Sequence, residues 1–304
     1  MCMTPHLKIL ISAGASPAAH NIIGHLKELG HHVHAIDANE KALPLARSIA
    51  DGVTKAPLAN GADYISFMTD QINRVDLFVP FIDEEIARLM EHSDMDLWEK
   101  CLLPRPDTTQ TCLYKKQFQI FCRENGLPVA GFSKTVPAVF KPNLGRGGKG
   151  VRILHTVSEL AEKSKADGVI QDFIAGDEYT IDALFSKDGG LLKISVRRRD
   201  TASGVSIIGT IVDPASFFPL VEKIGRLLKF RYLINIQVIQ DRENVCHIIE
   251  INPRIAGSVM FSVYSGLDFL KGAIDVYTGE KVTFPTPQKK IRIIRYWNEY
   301  VQDL

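Results

Sequence analysis

The sequence predicts a parallel α/β unit followed by an α+β unit, and three observations carry that reading. Over residues 1–107, short apolar β-runs alternate with helical patterns, which is the signature of parallel βαβ units and a Rossmann-like sheet. From residue 169 onward β-signals dominate, as an antiparallel sheet requires. The chain has 304 residues, and single cores stop growing at roughly 250–300 residues, so two or three packed units are expected.

Residues 7–11 form the first apolar run. It breaks at Ser12-Ala-Gly14-Ala-Ser16-Pro17, and a helical pattern follows to Gly30. Residues 33–37 read as the second strand, 42–50 as a helix, 53–57 as a short strand and 61–73 as a helix. Residues 75–80 are a buried strand and 83–91 a helix. The alternation stops at 94–107, where Pro104 and Pro106 bracket Arg105, which reads as a crossing between domains. Thr108 or Thr109 is placed to cap a helix over about 110–125, with Gly126 at its end. Residues 138–141 are a strand, 143–150 a glycine-rich loop, 151–154 the returning strand, and a helix starts at Ser158. Residues 169–174, 178–185, 191–199 and 205–212 then read as strands of an antiparallel sheet, and 215–228 as the strong helix that follows them. Residues 233–239 and 245–251 form a hairpin around Asp241-Arg-Glu-Asn244. Helical patterns cover about 258–277, and 291–297 is a final strand.

Composition narrows the function classes. Apolar residues make up 45% and charged residues 23% of the chain, an ordinary globular balance that argues against long disorder. Lys plus Arg is 36 against 35 Asp plus Glu, for a net charge of +1, so no global field draws in nucleic acid or an anionic membrane. No apolar run approaches the ~18 residues of a membrane span, and the first residues do not read as a secretory signal. Five scattered cysteines, none in a C-x-x-C pair, argue against a disulfide scaffold or zinc site and suit reduced thiols in the cytoplasm. His31, His32 and His34 stand at the start of a strand with no ligand-bearing partner nearby in the sequence, and read as surface residues.

Four segments carry chemistry. Lys141-Pro-Asn-Leu-Gly145-Arg146-Gly147-Gly148-Lys149-Gly150 places four glycines in six positions between two strands. Such a loop can close over phosphate oxygens because no Cβ blocks its N–H groups, and Lys141 enters from a strand at a fixed place. G-x-x-x-x-G-K-[ST] is absent, so this is not a Walker A loop; a flexible surface hairpin is the other reading. In Asn235-Ile-Gln237 and Glu250-Ile-Asn252-Pro253-Arg254, alternation puts the polar residues of each strand on one face. A carboxylate with amide oxygens suits Mg²⁺ that also takes phosphate oxygens, and Arg254 is placed as a phosphate clamp; the alternative is the solvated face of an amphipathic hairpin. Gln171-Asp-Phe173-Ile174-Ala-Gly176-Asp-Glu178 reads as an ordinary hairpin or as a hinge whose backbone meets a base edge and whose acid meets a ribose. Lys115-Lys116 reads first as a solvated helix face.

Taken in this order, the four segments resemble the ATP-grasp superfamily, over about residues 108–304, preceded by a fitting preATP-grasp domain. Glu250-Ile-Asn252-Pro-Arg254, with Gln237 thirteen residues before Glu250, is similar to the metal-binding hairpin of the carbamoyl-phosphate synthetase large chain. Gly14-Ala-Ser-Pro and Asp83-Glu84-Glu85 resemble the front domain of that synthetase and of related carboligases. The resemblance implies a Rossmann-like preATP-grasp domain at 1–107, a small lid subdomain at 108–170, and a large subdomain at 171–304 bearing the Mg-binding hairpin. It implies that Lys115 (or Lys116, by register) and Lys141 contact ATP phosphates. Gly145, Arg146, Gly147, Gly148 and Lys149 would cover those phosphates, and Gln171, Phe173, Ile174 and Glu178 would bind the nucleoside. Gln237, Glu250 and Asn252 would hold two Mg²⁺, or Mn²⁺ in their place, and Arg254 with Lys141 would serve catalysis. Many family members carry aspartate or glutamate where Gln237 stands, and this chain lacks the duplicated halves of the full synthetase.

The function so implied is an ATP-dependent carboxylate–amine (or thiol) ligase. Attack of an anion on a polyanion needs aligned cations rather than a protein nucleophile, which agrees with the absence of a Ser-His-Asp or Cys-His signature. Its partners would be a small carboxylate and an amine, with homodimerisation possible and no nucleic acid or membrane. In Arg197-Arg198-Arg199, Arg197 or Arg199 is expected to bind the substrate carboxylate, or else the strand is an edge protected by charge. Two rivals remain at this level. One is a nucleotide-binding regulatory module without turnover. The other is a dinucleotide-dependent oxidoreductase, suggested by the front βαβ pattern with Asp37 ending its second strand, although G-x-G-x-x-G is absent.

Overall fold

A computed structural model describes residues 6–92, 94–145, 147–203, 205–284, 287–296 and 298–301. The front unit runs β1 (Lys8–Ile11), α1 (Pro17–Glu28), β2 (His32–Asp37), α2 (Leu43–Arg47), β3 (Gly52–Lys55), α3 (Tyr64–Asn73), β4 (Leu77–Val79) and α4 (Asp83–Glu91). Its four strands pair in parallel in the order β3-β2-β1-β4. Both faces of that sheet are covered, as parallel strands with near-continuous apolar runs require. Helix α1 starts directly after the strand because Ser16 accepts a hydrogen bond from the Ala19 amide and Pro17 supplies a preset φ.

The crossing at 94–107 is packed rather than open. It contains α5 (Met95–Glu99), buries Trp98, whose Nε1 donates to Pro104 O, and lays Cys101 beside Phe78 as a parallel bridge. The single helix expected over 110–125 is two helices, α6 (Pro106–Leu113) and α7 (Lys115–Glu124), broken at Tyr114, whose backbone is extended. Neither threonine caps a helix: Thr108 Oγ1 donates to Leu228 O and Thr109 Oγ1 to Pro104 O. Asn143 replaces them at the break, accepting from Lys115 N on its carbonyl and from Lys116 N on its side chain. The start of α7 is thereby tied to the glycine-rich segment.

The middle unit comprises β5 (Ala138–Pro142), β6 (Arg152–Leu154), α8 (Val157–Lys163) and β7 (Gly168–Asp172). Residues 169–174 were expected in the large antiparallel sheet; the strand runs over 168–172 and pairs instead with β5, in a small sheet ordered β6-β5-β7. Its core is Ala138, Phe140 and Leu154.

The last unit comprises β8 (Asp177–Phe185), β9 (Leu191–Ser203), β10 (Val205–Val212), α9 (Phe218–Leu228), β11 (Tyr232–Gln240), β12 (Cys246–Asn252), α10 (Met260–Tyr264), α11 (Phe269–Thr278) and β13 (Arg292–Ile294). Its sheet is antiparallel in the order β12-β11-β8-β9-β10-β13. Alternation sorts the two faces. Ile181, Ala183, Ile194, Val196, Ile234 and Ile236 turn outward onto α9, which answers with Val221, Ile224 and Leu228. Each such aliphatic side chain contributes about 1.5–3 kcal/mol on burial. The opposite face carries the polar residues of the same strands. The helical stretch expected at 258–277 is broken between α10 and α11, where Gly266 has φ +100°.

The front and last units share one core, in which Ile9, Ile22 and Val33 meet Tyr232, Leu233, Val259 and Phe269. His31, expected at the surface, is buried and accepts from the Leu7 amide. Cys101, Cys112, Cys122 and Cys246 are free thiols. Among the described residues no helix is long and apolar enough to cross a membrane.

Candidate active site

The small sheet and the β11–β12 hairpin enclose a cavity of about 390 Å³. Its apolar walls come from both sides: Val139 and Ile153 from the small sheet, Ile239 and Ile248 from the hairpin. The end of β7 and the segment that follows it close one edge with Gln171, Asp172, Phe173 and Ile174. Gly176 turns that segment sharply against β11; a Cβ there would lie 2.1 Å from Gln240 O, so only glycine fits.

Lys141, Lys115 and Glu250 face one another in this cavity although they are distant in sequence. A bulge makes this possible. In the β11–β12 ladder Gln237 pairs with Glu250 and Val238 with Ile248, leaving Ile249 without a partner in the register. The carbonyl freed by that bulge accepts the Lys141 ammonium at 3.3 Å. Lys115 Nζ, at the first turn of α7, donates to Gly145 O at 3.0 Å and lies 4.0 Å from Glu250 Oε2. Burial lowers the Lys141 ammonium to about 8, with Glu250 opposing this and Lys115 adding to it. Lys116 is paired with Asp167 at 2.7 Å, and of the two lysines it is Lys115 that lines the cavity.

The glycine loop borders the cavity. Gly147, Gly148 and Gly150 have φ of +63°, +71° and +79°, a conformation that side chains resist. Gly145, Gly147, Gly148 and Lys149 line the cavity. Arg146 lies outside the described residues.

Registered pairing puts Gln237 opposite Glu250 and Asn235 opposite Asn252. Asn252 Nδ2 donates to Glu250 Oε1 at 3.2 Å and to Asn235 Oδ1 at 3.4 Å. The Glu250 carboxylate, with an amide beside it, is a hard oxygen set of the kind Mg²⁺ takes. Among the described residues there is no cluster of three His, Cys, Asp or Glu. Gln237 is less ready, because Arg199 Nη1 donates to its Oε1 at 3.0 Å and also bonds Glu178. A cation must move before Gln237 can serve a metal.

The three remaining arginine expectations divide. Arg199 lines the cavity. Arg197 does not: it is fully buried, holds both oxygens of Asp182 at 2.6 and 3.2 Å, and donates to Ser258 at 2.6 Å. Asp182 in turn accepts from Asn235 and Ser262. The expectation that Arg197 binds substrate is therefore corrected; its guanidinium is consumed in the core. Arg254 leaves β12 toward the front unit, where Nε donates to Asp83 Oδ1 at 2.5 Å and Nη1 to Ile255 O at 3.3 Å. Burial opposes the Arg254 charge, and Asp83 more than offsets that, holding it above the ordinary arginine value. A narrow space lined by Asp83, Lys115, Glu250 and Asn252 adjoins the cavity, so the front unit reaches the site through Asp83.

His247 also lines the cavity, held by Asp241 at 2.7 Å, and sequence reasoning passed over it. Its alternation with Ile249 in β12 was a usable signal, but the bulge hid which face it joins. Asp37, which with the front βαβ pattern suggested a dinucleotide site, accepts from the Ala15 and Asn39 amides and holds its own loop.

Residues 164–299 match the family described as ATP-grasp in the biosynthetic pathway with Ter operon. No curated protein matches the sequence. Among solved structures, N5-carboxyaminoimidazole synthetase of Staphylococcus aureus, complexed with ADP, superposes with a TM-score of 0.72 at 15% identity, covering 97% of this chain and 83% of that one. The biotin carboxylase domain of the 2-oxoglutarate carboxylase of Hydrogenobacter thermophilus, in complex with MgADP and bicarbonate, gives 0.71 at 17% identity over 91% and 71%. The L-amino acid ligase of Bacillus licheniformis gives 0.68 at 18% identity over 89% and 74%. In its fold, from the parallel front sheet to the paired sheets around the cavity, the chain is similar to these structures, and its last unit matches the ATP-grasp family model.

Proposed function

We propose that the protein is an ATP-dependent ligase that activates a carboxylate as an acyl phosphate and transfers the acyl group to an amine or other nucleophile. A carboxylate oxygen attacks the γ-phosphorus, the bond to the bridging oxygen breaks, and ADP leaves. The nucleophile then adds to the acyl carbon and phosphate departs. One observation carries the reading: Lys141 from the small sheet, Lys115 from α7 and Glu250 from the hairpin converge on one cavity beneath a glycine loop. The similar structures with bound ADP support it.

In this reading Lys141 and Lys115 bind phosphate oxygens, and the loop at 145–149 excludes water above them. Gln171, Phe173 and Ile174 hold the base, and Glu178 takes the ribose hydroxyls. Glu250, Asn252 and Gln237 hold two magnesium ions, which when bound neutralise charge on the transferring phosphoryl group. To take the ribose and a metal, Glu178 and Gln237 would have to give up their bonds to Arg199. Arg254, fixed by Asp83, stabilises the charge that develops where the two anions meet.

A phosphate-release screen of carboxylates, amino acids foremost, with amine partners tests the proposal, with Glu250→Ala run in parallel. Turnover in the wild type that Glu250→Ala abolishes is expected. Absence of MgADP binding by calorimetry would refute it, and so would MgADP binding with no acid-dependent phosphate release.

A further inference from the structure

The polar face of the large sheet carries several cations, and most have an acid. Arg197 is held by Asp182, Arg199 by Glu178, and Arg254 by Asp83. Arg295, just past β13, differs: among the described residues no carboxylate lies within ion-pair distance of it. It is half-buried, its Nη2 donates to Gly257 O at 2.5 Å, and its guanidinium lies 5.1 Å from the Phe261 ring centroid. Phe261 also meets the Arg197 guanidinium at 5.9 Å and would press on a Cβ at Gly209. Gly209 pairs with Arg199 on one side and Ile293 on the other. Arg295 therefore stands on the cavity-side face of the sheet, at its β13 edge.

Its position relative to Arg254 follows from one loop. Arg254 Nη1 is fastened to Ile255 O at 3.3 Å, and Arg295 Nη2 to Gly257 O at 2.5 Å. Those carbonyls are two residues apart, so the two guanidinium groups lie no more than about 13 Å from each other. A partly buried guanidinium that meets no carboxylate among the described residues, and that shares the Phe261 ring with the Arg197 guanidinium, is costly unless an anion joins it. Gly257 O and Phe261 hold its orientation without neutralising it.

We propose that Arg295 anchors a second carboxylate of the acid substrate whose reacting carboxylate lies at Arg254. The substrate class is thus a dicarboxylate, spanned between the Asp83-held Arg254 and Arg295. This rests on the ligase reading given above. A planar fork suits bidentate capture of a carboxylate, which lysine cannot reproduce.

The test measures binding of malonate, succinate, glutarate and adipate, each beside the monocarboxylate of equal chain length. The protein is saturated with MgADP, and wild type, Arg295→Met and Arg295→Lys are compared by calorimetry. At least one dicarboxylate is expected to bind the wild type tenfold or more tightly than its monocarboxylate. Arg295→Met is expected to erase that preference at unchanged MgADP affinity and unreduced Tm, and Arg295→Lys to keep only part of it. A preference that survives in Arg295→Met, or no preference in the wild type, overturns the proposal. Failure of the wild type to bind MgADP would instead strike the ligase reading beneath it.

Discussion

Replacing Lys141 by methionine should stabilise the protein while abolishing its nucleotide binding. Lys141 is 9% exposed, and burial lowers its ammonium to about 8 from an ordinary 10.5. A gap of that size corresponds to about 3 kcal/mol by which the charged lysine favours the unfolded chain at pH 7. Methionine keeps most of the stem and removes the charge; loss of the hydrogen bond to Ile249 O returns about 1 kcal/mol. A net gain of about 2 kcal/mol at pH 7 is expected. The sign with pH follows from proton counts. Between about 8 and 10.5 the unfolded chain keeps the lysine proton and the native state does not, so wild-type stability rises relative to the variant across that window. About 2 kcal/mol of the difference should be gone by pH 9.5. Urea denaturation of both proteins at pH 7, 8, 9 and 9.5 measures it, with MgADP calorimetry at pH 7 as the functional control. A variant no more stable than wild type at pH 7, or a difference that does not move with pH, would refute the reasoning. So would retained nucleotide affinity.

Three further outcomes are expected. Arg197→Met leaves Asp182, whose side chain is 1% exposed, uncompensated in the core, and should cost about 3–5 kcal/mol by denaturation, with Arg197→Met/Asp182→Leu recovering much of it; a fully stable single variant that only raises the KM for the acid would contradict the structural role. Arg199→Met removes the cation that bonds Gln237 and should tighten Mn²⁺ binding to the nucleotide-free protein about tenfold by electron paramagnetic titration; unchanged or weaker binding argues against Gln237 as a ligand. In a Cys2→Ser background at pH 8, only half-buried Cys246 should react promptly with a disulfide reagent, because burial raises Cys122 to about 12 and Cys112 well above its usual value. Rapid labelling of three or more thiols in the native protein would rule that out.

Much of the architecture was legible because it rests on local periodicity. The βαβ alternation of the front unit, the strands at 205–212 and the hairpin ending in Glu250-Ile-Asn252 follow from spacing alone, and alternation does put Gln237 opposite Glu250 and Asn235 opposite Asn252. The errors share a cause. The break at Tyr114 depends on Asn143, twenty-nine residues later, whose carbonyl and side chain take the first amides of α7. The strand at 168–172 carries no mark of which sheet it joins, since β-propensity says nothing about partners.

Residue types and their order determined on their own that a basic glycine loop and an acidic hairpin exist, and that they suit phosphate and magnesium. The tertiary structure alone decided which charges are free to act. Arg197 and Arg199 are two positions apart on one strand and point the same way, yet one ends in the core against Asp182 and the other in the cavity. Arg254 meets Asp83 across 171 residues, and Arg295 meets no acid among those described. A charge acts according to its counter-ions and its burial, and both are properties of the folded neighbourhood rather than of the chain.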